Sequence, residues 1–354
     1  MKLGIVGLPQ TGKKLFFELL TNTELKDVNI QKASAGVAEI KDPRFEKLAK
    51  MYEPKKEVRA RIDLNLLPGF EPGSSAAQDI FREIADVDAL CHIVRAFNDS
   101  SVYHVNGSVN PTRDIANVNS ELLLHDLIFI EKRMERIAKD RKARDEKRFA
   151  EEEKLMTRFR EHLEADKPLR SIEVSDEEAK LIASYPFLTR KPTLIVLNTA
   201  DGTESSESID AAIKLCAETG SDVISVPVKL EREIAQLESE EERLEFMADA
   251  GISESALVLL SALAMKSLGL MSFFTVGKDE VRQWLIRQGS LAPEAAGAIH
   301  TDIQRGFIRA EVIKYNDLIE LNTEDAVKKA GKFFVMGKDY VVEDGDIINF
   351  RFNV

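Results

Sequence analysis

The stretch MKLGIVGLPQTGKKLFFELL, Met1 to Leu20, decides the fold. Leu3 to Val6 is an apolar run that reads as a short buried strand. Gly7 to Lys13 has the spacing GxxxxGK, and Leu15 to Leu20 has the apolar density of a helix lying on a sheet. Strand, glycine loop and helix in that order make a phosphate cradle, because backbone N–H groups and the helix N-terminus converge on one anion and Lys13 neutralises its outer charge. Such loops continue with Ser or Thr, whose hydroxyl holds Mg²⁺. The next residue here is Lys14, and an ammonium group has donors only, so it cannot ligate a cation and repels one. Gly7, Pro9, Gln10, Thr11, Gly12, Lys13, Lys14 and Leu15 are the candidate phosphate-binding residues. Lys14 is expected to act as an internal counter-ion for the β-phosphate in place of the metal.

Around this loop the chain has the size of two or three domains, with 354 residues, 44% of them hydrophobic and 31% charged. A net charge of −12 excludes a polyanion-binding surface spread over the whole molecule and leaves only regional basic patches. Cys91 and Cys216 match neither a disulfide framework nor a metal-ligand spacing and read as core thiols of a reducing compartment. The first residues run straight into a strand, and the most apolar later run, Ala256 to Met265, is too short to span a bilayer. A cytoplasmic location with no membrane partner is the expectation.

Further strands are expected at Arg59 to Leu67, Ala89 to Val94, Thr193 to Leu197 and Val223 to Val226, as in a parallel sheet covered by helices. Between them, 18 of the 24 residues from Glu131 to Lys154 are charged, and apolar positions recur at helical spacing before and after. The pattern predicts two long antiparallel helices with a narrow seam and a solvated tip, inserted in the first domain. Beyond Gly269, short alternating runs at Phe307 to Ile313, Tyr340 to Val342 and Ile347 to Phe352 predict a small, mostly β domain.

Several segments together resemble the YchF family of Obg-like ATPases, over essentially the full length. They include GLPQTGK, KDPRFEKLAK (Lys41 to Lys50), SELLLHDLIFIEKRMERI (Ser120 to Ile137) and FFTVGKDEVRQW (Phe273 to Trp284). The most specific are APEAAGAIHTDIQRGFIRAEVI (Ala292 to Ile313) and GKDYVVEDGDIINFRFNV (Gly337 to Val354). The resemblance implies an α/β P-loop domain with an inserted helical hairpin and a C-terminal ubiquitin-like β-grasp module of the TGS type. The expected boundaries are 1–118 and 191–270 for the P-loop domain, 119–190 for the hairpin and 271–354 for the β-grasp domain. It also implies a purine nucleotide, ATP or GTP, as ligand.

Aligning Gly69 with the glycine of the family's DxxG motif puts Leu66 where a carboxylate anchors Mg²⁺, with Asp63 three residues too early. Thr21 to Gly36 offers no obvious metal-facing threonine, so no metal ligand is assigned and no catalytic residue is identified. The base-binding motif reads Asn198, Thr199, Ala200, Asp201. An aspartate at its last position accepts guanine N–H groups in GTP-binding relatives, which leaves ATP or GTP open. Pro227, Val228 and Lys229 stand where a second loop helps hold the base.

His300 and Asp302 lack a third ligand at suitable spacing and read as structural. The run KDRKARDEKR, Lys139 to Arg148, reads first as a solvated face and second as a phosphate-contacting tip. In the second reading Lys139, Arg141, Lys142, Arg144, Lys147 and Arg148, with Arg305 and Arg309, contact a ribosome or structured RNA, with no DNA sequence specificity. The leading expectation is a YchF-like nucleotide-binding protein with weak or absent hydrolysis. A non-enzymatic scaffold with a vestigial site and an active Mg²⁺-dependent ATPase or GTPase are the alternatives.

Overall fold

The computed structural model describes residues 1–25, 32–69, 77–140, 146–200, 206–237, 239–250, 252 and 255–353. Its strands are β1 (Lys2–Val6), β2 (Ser34–Glu39), β3 (Glu57–Val58), β4 (Arg61–Leu66), β5 (Ala89–Arg95), β6 (Thr193–Asn198) and β7 (Asp222–Val226). They continue with β8 (Leu270–Thr275), β9 (Val281–Arg287), β10 (Phe307–Ile313), β11 (Phe333–Met336) and β12 (Ile347–Phe352). The first five helices are α1 (Lys13–Thr21), α2 (Pro43–Tyr52), α3 (Ala77–Ala85), α4 (Pro111–Asp140) and α5 (Glu146–Glu164). The chain divides into two compact units, Met1–Val37 with Asp63–Glu254, and Ala38–Ile62 with Ser255–Val354.

The first unit is built on the sheet β2-β4-β1-β5-β6-β7. β1 pairs in parallel with β4 and β5, and β5, β6 and β7 continue in parallel. Every residue of β5 and β6 is buried, as expected for central strands covered on both faces. The chain passes from β1 to β4 on one side and to β5 on the other. The crevice beyond the carboxyl end of β1 is therefore the topological switch point where α/β sheets bind ligands.

α4 and α5 bury Leu123, Ile130, Ile137, Leu155, Met156, Phe159 and Leu163 along their seam. Across it Arg133 Nε reaches Glu152 Oε1 at 2.6 Å. The helical insertion begins at Pro111, eight residues ahead of the expected boundary, with its connecting tip outside the described residues.

The second unit carries the sheet β11-β10-β12-β8-β9-β3. Adjacent residues of its strands point to opposite faces, and both faces are covered. On one, Ala292, Ala295 and Ala296 of the helix Ala292–Ile299 pack on Phe273, Val312 and Phe350. On the other, Phe45 and Leu48 of α2 pack with Phe274, Ile313, Leu318 and Ile347. α2 starts sharply because Asp42 accepts the Arg44 N–H and Pro43 occupies the first turn.

Residues 38–62 thus lie in the unit of the C-terminal β-grasp, whereas the sequence reading assigns them to the P-loop domain. The helix Ala256–Ser267 is also in this unit, ahead of the expected boundary at 271. Tyr340 to Val342 forms a single bridge, Val341 to Leu291, in place of the expected strand.

Candidate functional site

The glycine loop leaves β1 at Val6 and closes into α1, and two of its glycines are sterically required. A Cβ on Gly7 (φ 149°) would lie 2.4 Å from the Ile93 carbonyl oxygen, and one on Gly12 (φ 92°) would lie 2.4 Å from Asn198 Nδ2. Gln10 also has a positive φ, 60°, as expected of a tight loop. Gly12 caps α1 with no side-chain hydrogen bond, and the first turn holds no acidic residue. The leading N–H groups of α1 therefore keep their capacity to bind an anion.

Lys13 is buried and folds back over the loop. Its Nζ donates to the carbonyl oxygens of Gly7 (2.8 Å) and Leu8 (2.5 Å), and burial pulls its pKa down to about 8. Thr11 Oγ1 donates to Leu8 O at 3.1 Å. Pro9 and Leu15 are half-buried and Gln10 is exposed.

Lys14 is placed differently from the expectation. Its ammonium lies 3.8 Å from Glu18 Oε1, one turn along α1, and 56% of its side chain is exposed. Glu18 also accepts the Leu25 N–H at 2.9 Å and stands 3.7 Å from Arg232. In this arrangement Lys14 is drawn along the helix surface, not over the loop. Glu18 was not singled out from the sequence, although its four-residue spacing from Lys14 is the signal for such a pair.

The positions implied for metal contact supply no oxygen. Leu66 sits opposite Ile5 on β4 and is buried, whereas Asp63 sits opposite Lys2, roughly 10 Å further from the loop at the rise of a strand. Asp63 is instead 3.8 Å from the N-terminal amine. The register that would let Asp63 replace the missing carboxylate is therefore excluded. A Cβ on Gly69 would lie 3.7 Å from Pro9 Cγ, so the DxxG glycine does reach the loop. Among the described residues no group of three His, Cys, Asp or Glu side chains is arranged to hold a metal ion. The side chains at Lys14 and Leu66 do not fit Mg²⁺.

Asn198 ends β6 and ties two loops together. Its Nδ2 donates to Thr11 O at 3.0 Å, and its Oδ1 accepts the Val228 N–H at 3.3 Å. The base-side segment is thus fixed to the glycine loop through one buried amide. Asp201, the residue expected to select the base, lies outside the described residues.

Of the expected RNA-contacting cations, Lys139, Lys147 and Arg148 are exposed on α4 and α5, and Arg141, Lys142 and Arg144 lie outside the described residues. Arg305 is exposed, 4.0 Å from Asp302, and Arg309 pairs with Glu311 at 3.3 Å. His300 Nδ1 accepts the Asp302 N–H and caps the short helix Thr301–Arg305, a structural task for the HTD string.

Sequence reasoning also missed His92, opposite Val6. It is buried with Nε2 unpartnered among the described residues, and burial, with Lys13 and Arg170 adding repulsion, holds its pKa down at about 3. It is neutral and adds no charge beside the loop.

Residues 270–353 match the family model YchF-GTPase_C, described as a protein of unknown function (DUF933). The chain is 39% identical to the ribosome-binding ATPase YchF of Bacillus subtilis (strain 168), with 99% of each chain covered. It belongs to the YchF family of Obg-like ATPases. Another relative, Obg-like ATPase 1 of Oryza sativa subsp. japonica, is 35% identical, with 100% of this chain and 92% of that protein covered. A solved structure, the Schizosaccharomyces pombe YchF GTPase, superposes with a TM-score of 0.85 at 31% identity, covering 99% of this chain and 97% of that one. The names of these family members are divided between ATPase and GTPase.

Proposed function

We propose that this protein binds a purine nucleotide at the glycine loop, hydrolyses it little, and works in the cytoplasm in association with ribosomes. The observation that carries the reading is the pairing of an uncapped α1 N-terminus with a buried Lys13 whose partners among the described residues are carbonyl oxygens. Phosphate oxygens are stronger acceptors for an ammonium than neutral carbonyls, so an arriving nucleotide draws Lys13 off the loop at little cost. Ribosome association rests on the printed names of the relatives, with the exposed Lys139, Lys147, Arg148 and Arg305 as candidate RNA contacts.

Weak hydrolysis follows from the chemistry of phosphoryl transfer, which depends on positioning and on neutralising charge as it moves. With an ammonium at position 14 and a buried leucine at position 66, that neutralisation falls, among the described residues, to Lys13 and the backbone N–H groups. Turnover below the roughly 10⁻⁴ to 10⁻² per second of unstimulated P-loop switches is expected. The test is phosphate release and nucleotide titration, each with Mg²⁺ and with chelator. Binding in chelator with negligible release supports the proposal. Rapid Mg²⁺-dependent release abolished by Lys13→Ala would sink it.

A further inference from the structure

At the opposite end of the same sheet, beside the amino ends of β6 and β7, lies a polar cleft of about 320 Å³. Arg170, Arg190, Thr193, Gly220 and Asp222 are among its lining residues. Arg170 stands on the single turn Leu169–Ser171, held by Nε to Thr219 O (3.1 Å) and by Nη2 to Ser221 Oγ (3.0 Å). These partners fix the guanidinium and leave its charge unmatched. Arg190 enters the cleft just before β6 and makes no hydrogen bond or ion pair with any described residue. Neither arginine pairs with a carboxylate among the described residues, in a chain with 61 acidic and 49 basic residues. Burial lowers the pKa of both, that of Arg170 to about 10, as it does for a cation removed from water without an anion to replace it.

Two guanidiniums that line one cavity without a paired carboxylate are costly in the ligand-free protein and turn favourable when an anion enters, against the repulsion of the Asp222 carboxylate that lines the same cleft. Guanidinium forks match the tetrahedral oxygens of phosphate, and the volume lies at the small end of ligand sites, roughly 300 to 1,000 Å³. We propose that this cleft is a second anion site, separate from the glycine loop, which takes a phosphate monoester between Arg170 and Arg190.

The same chemistry is offered by a small metabolite and by the terminal phosphate of an RNA chain, so the test uses three probes on the full-length protein. Inorganic phosphate, glycerol 3-phosphate and a 5′-phosphorylated dinucleotide, with its 5′-hydroxyl form as control, are titrated by calorimetry against the unmodified protein, Lys13→Ala and Arg190→Ala. Arg190→Ala removes no contact seen in the fold, so it is expected to fold normally, with circular dichroism as the check. The proposal expects binding that survives Lys13→Ala and weakens about 10- to 100-fold in Arg190→Ala, the loss of one charge-assisted contact. Tighter binding of glycerol 3-phosphate identifies a small-metabolite site, and tighter binding of the phosphorylated dinucleotide over its hydroxyl form identifies an RNA end. Binding lost with Lys13→Ala and unchanged in Arg190→Ala assigns all the affinity to the glycine loop and overturns the proposal. So does the absence of millimolar binding in Lys13→Ala.

Discussion

The two units treat cations withdrawn from water in different ways. In the second unit the half-buried Arg44 and Lys314 are matched. Arg44 lies 2.8 Å from both Asp42 and Asp344, and Lys314 lies 2.8 Å from Asp346 and 2.9 Å from Glu343. Burial lowers the pKa of each, but the hydrogen bonds to these carboxylates outweigh it and raise both above their ordinary values. In the first unit Lys13, Arg170 and Arg190 have backbone or neutral partners or none, and burial prevails. A cation matched inside the protein is structural, and one left unmatched is poised for an anion from outside. The pairs Arg133–Glu152 and Arg113–Asp114 limit the contrast, because the first unit matches charges too, at the hairpin seam and at the start of α4.

The sharpest way to break this comparison is to unmatch a cation in the second unit. Asp346 is buried and accepts from Lys314, from the Tyr340 hydroxyl (2.6 Å) and from the Glu343 N–H (2.9 Å). Asp346→Ala removes the buried acceptor shared by three donors, leaving Lys314 only the exposed Glu343 and the Tyr340 hydroxyl, and is expected to cost about 3 kcal/mol in denaturant unfolding. Trp284, the single tryptophan, lies in this unit and reports the transition by fluorescence. A cost under about 1 kcal/mol would mean that the matching is decorative.

A smaller effect is expected where the first unit uses neutral groups. Asn198→Ala removes the donor to Thr11 O and the acceptor for Val228 N, and is expected to cost about 2 kcal/mol of stability. Nucleotide affinity should fall with it, because the loop loses its tie to the base side. Unchanged affinity at reduced stability would show that the amide holds the fold and not the site.

Elements whose residues are apolar in an unbroken run were legible in the sequence, and those that depend on distant partners were not. β5 and β6 are buried along their whole length and announce themselves as strands. β3 is two residues long and exists by pairing with β9, more than 220 positions away. The place of α2 in the second unit follows from Phe45 and Leu48 meeting Phe274 and Ile313, which no local pattern encodes. At the site, the glycine loop was readable from spacing, and the loss at Leu66 from the alignment that the family resemblance supplies. The fold-back of Lys13 was not, because its carbonyl partners belong to the backbone. Arg170 and Arg190 were missed because their cleft is assembled from three segments.

Lys13 offers a test of fractional size. With a pKa of about 8 it is half protonated at pH 8 in the ligand-free protein, and nucleotide phosphates raise that pKa. Binding at pH 8 should therefore take up about half a proton, and near none below pH 7, where the group is already charged. Calorimetry in buffers of different ionisation enthalpy measures it, and Lys13→Met should abolish it. The linkage has a stability counterpart of definite sign. The folded pKa lies below the unfolded value of about 10.4, so the ligand-free fold gains from this group as pH rises from 8 toward that value, and bound nucleotide removes the gain. Zero uptake at pH 8 would show that Lys13 stays fully charged and that its burial is not felt.

The smallest effect belongs to Lys14, the neighbour of Lys13 in sequence and its opposite in surroundings. Its pair with Glu18 is 3.8 Å long and more than half exposed on the lysine side, a class worth about 0 to 1 kcal/mol. Glu18 keeps Arg232 and the Leu25 N–H when the lysine is gone, so no buried charge is orphaned. Lys14→Ala should shift stability by less than about 0.5 kcal/mol, and metal-free nucleotide affinity by less than about threefold, because a solvated ammonium adds little Coulomb energy. The counter-ion role expected from the sequence requires the opposite: Lys14 would leave Glu18, reach the β-phosphate, and carry a tenfold or greater share of affinity in chelator. A tenfold loss in Lys14→Ala, with stability unchanged, would restore that role and make the Glu18 pair the resting position of a mobile counter-ion.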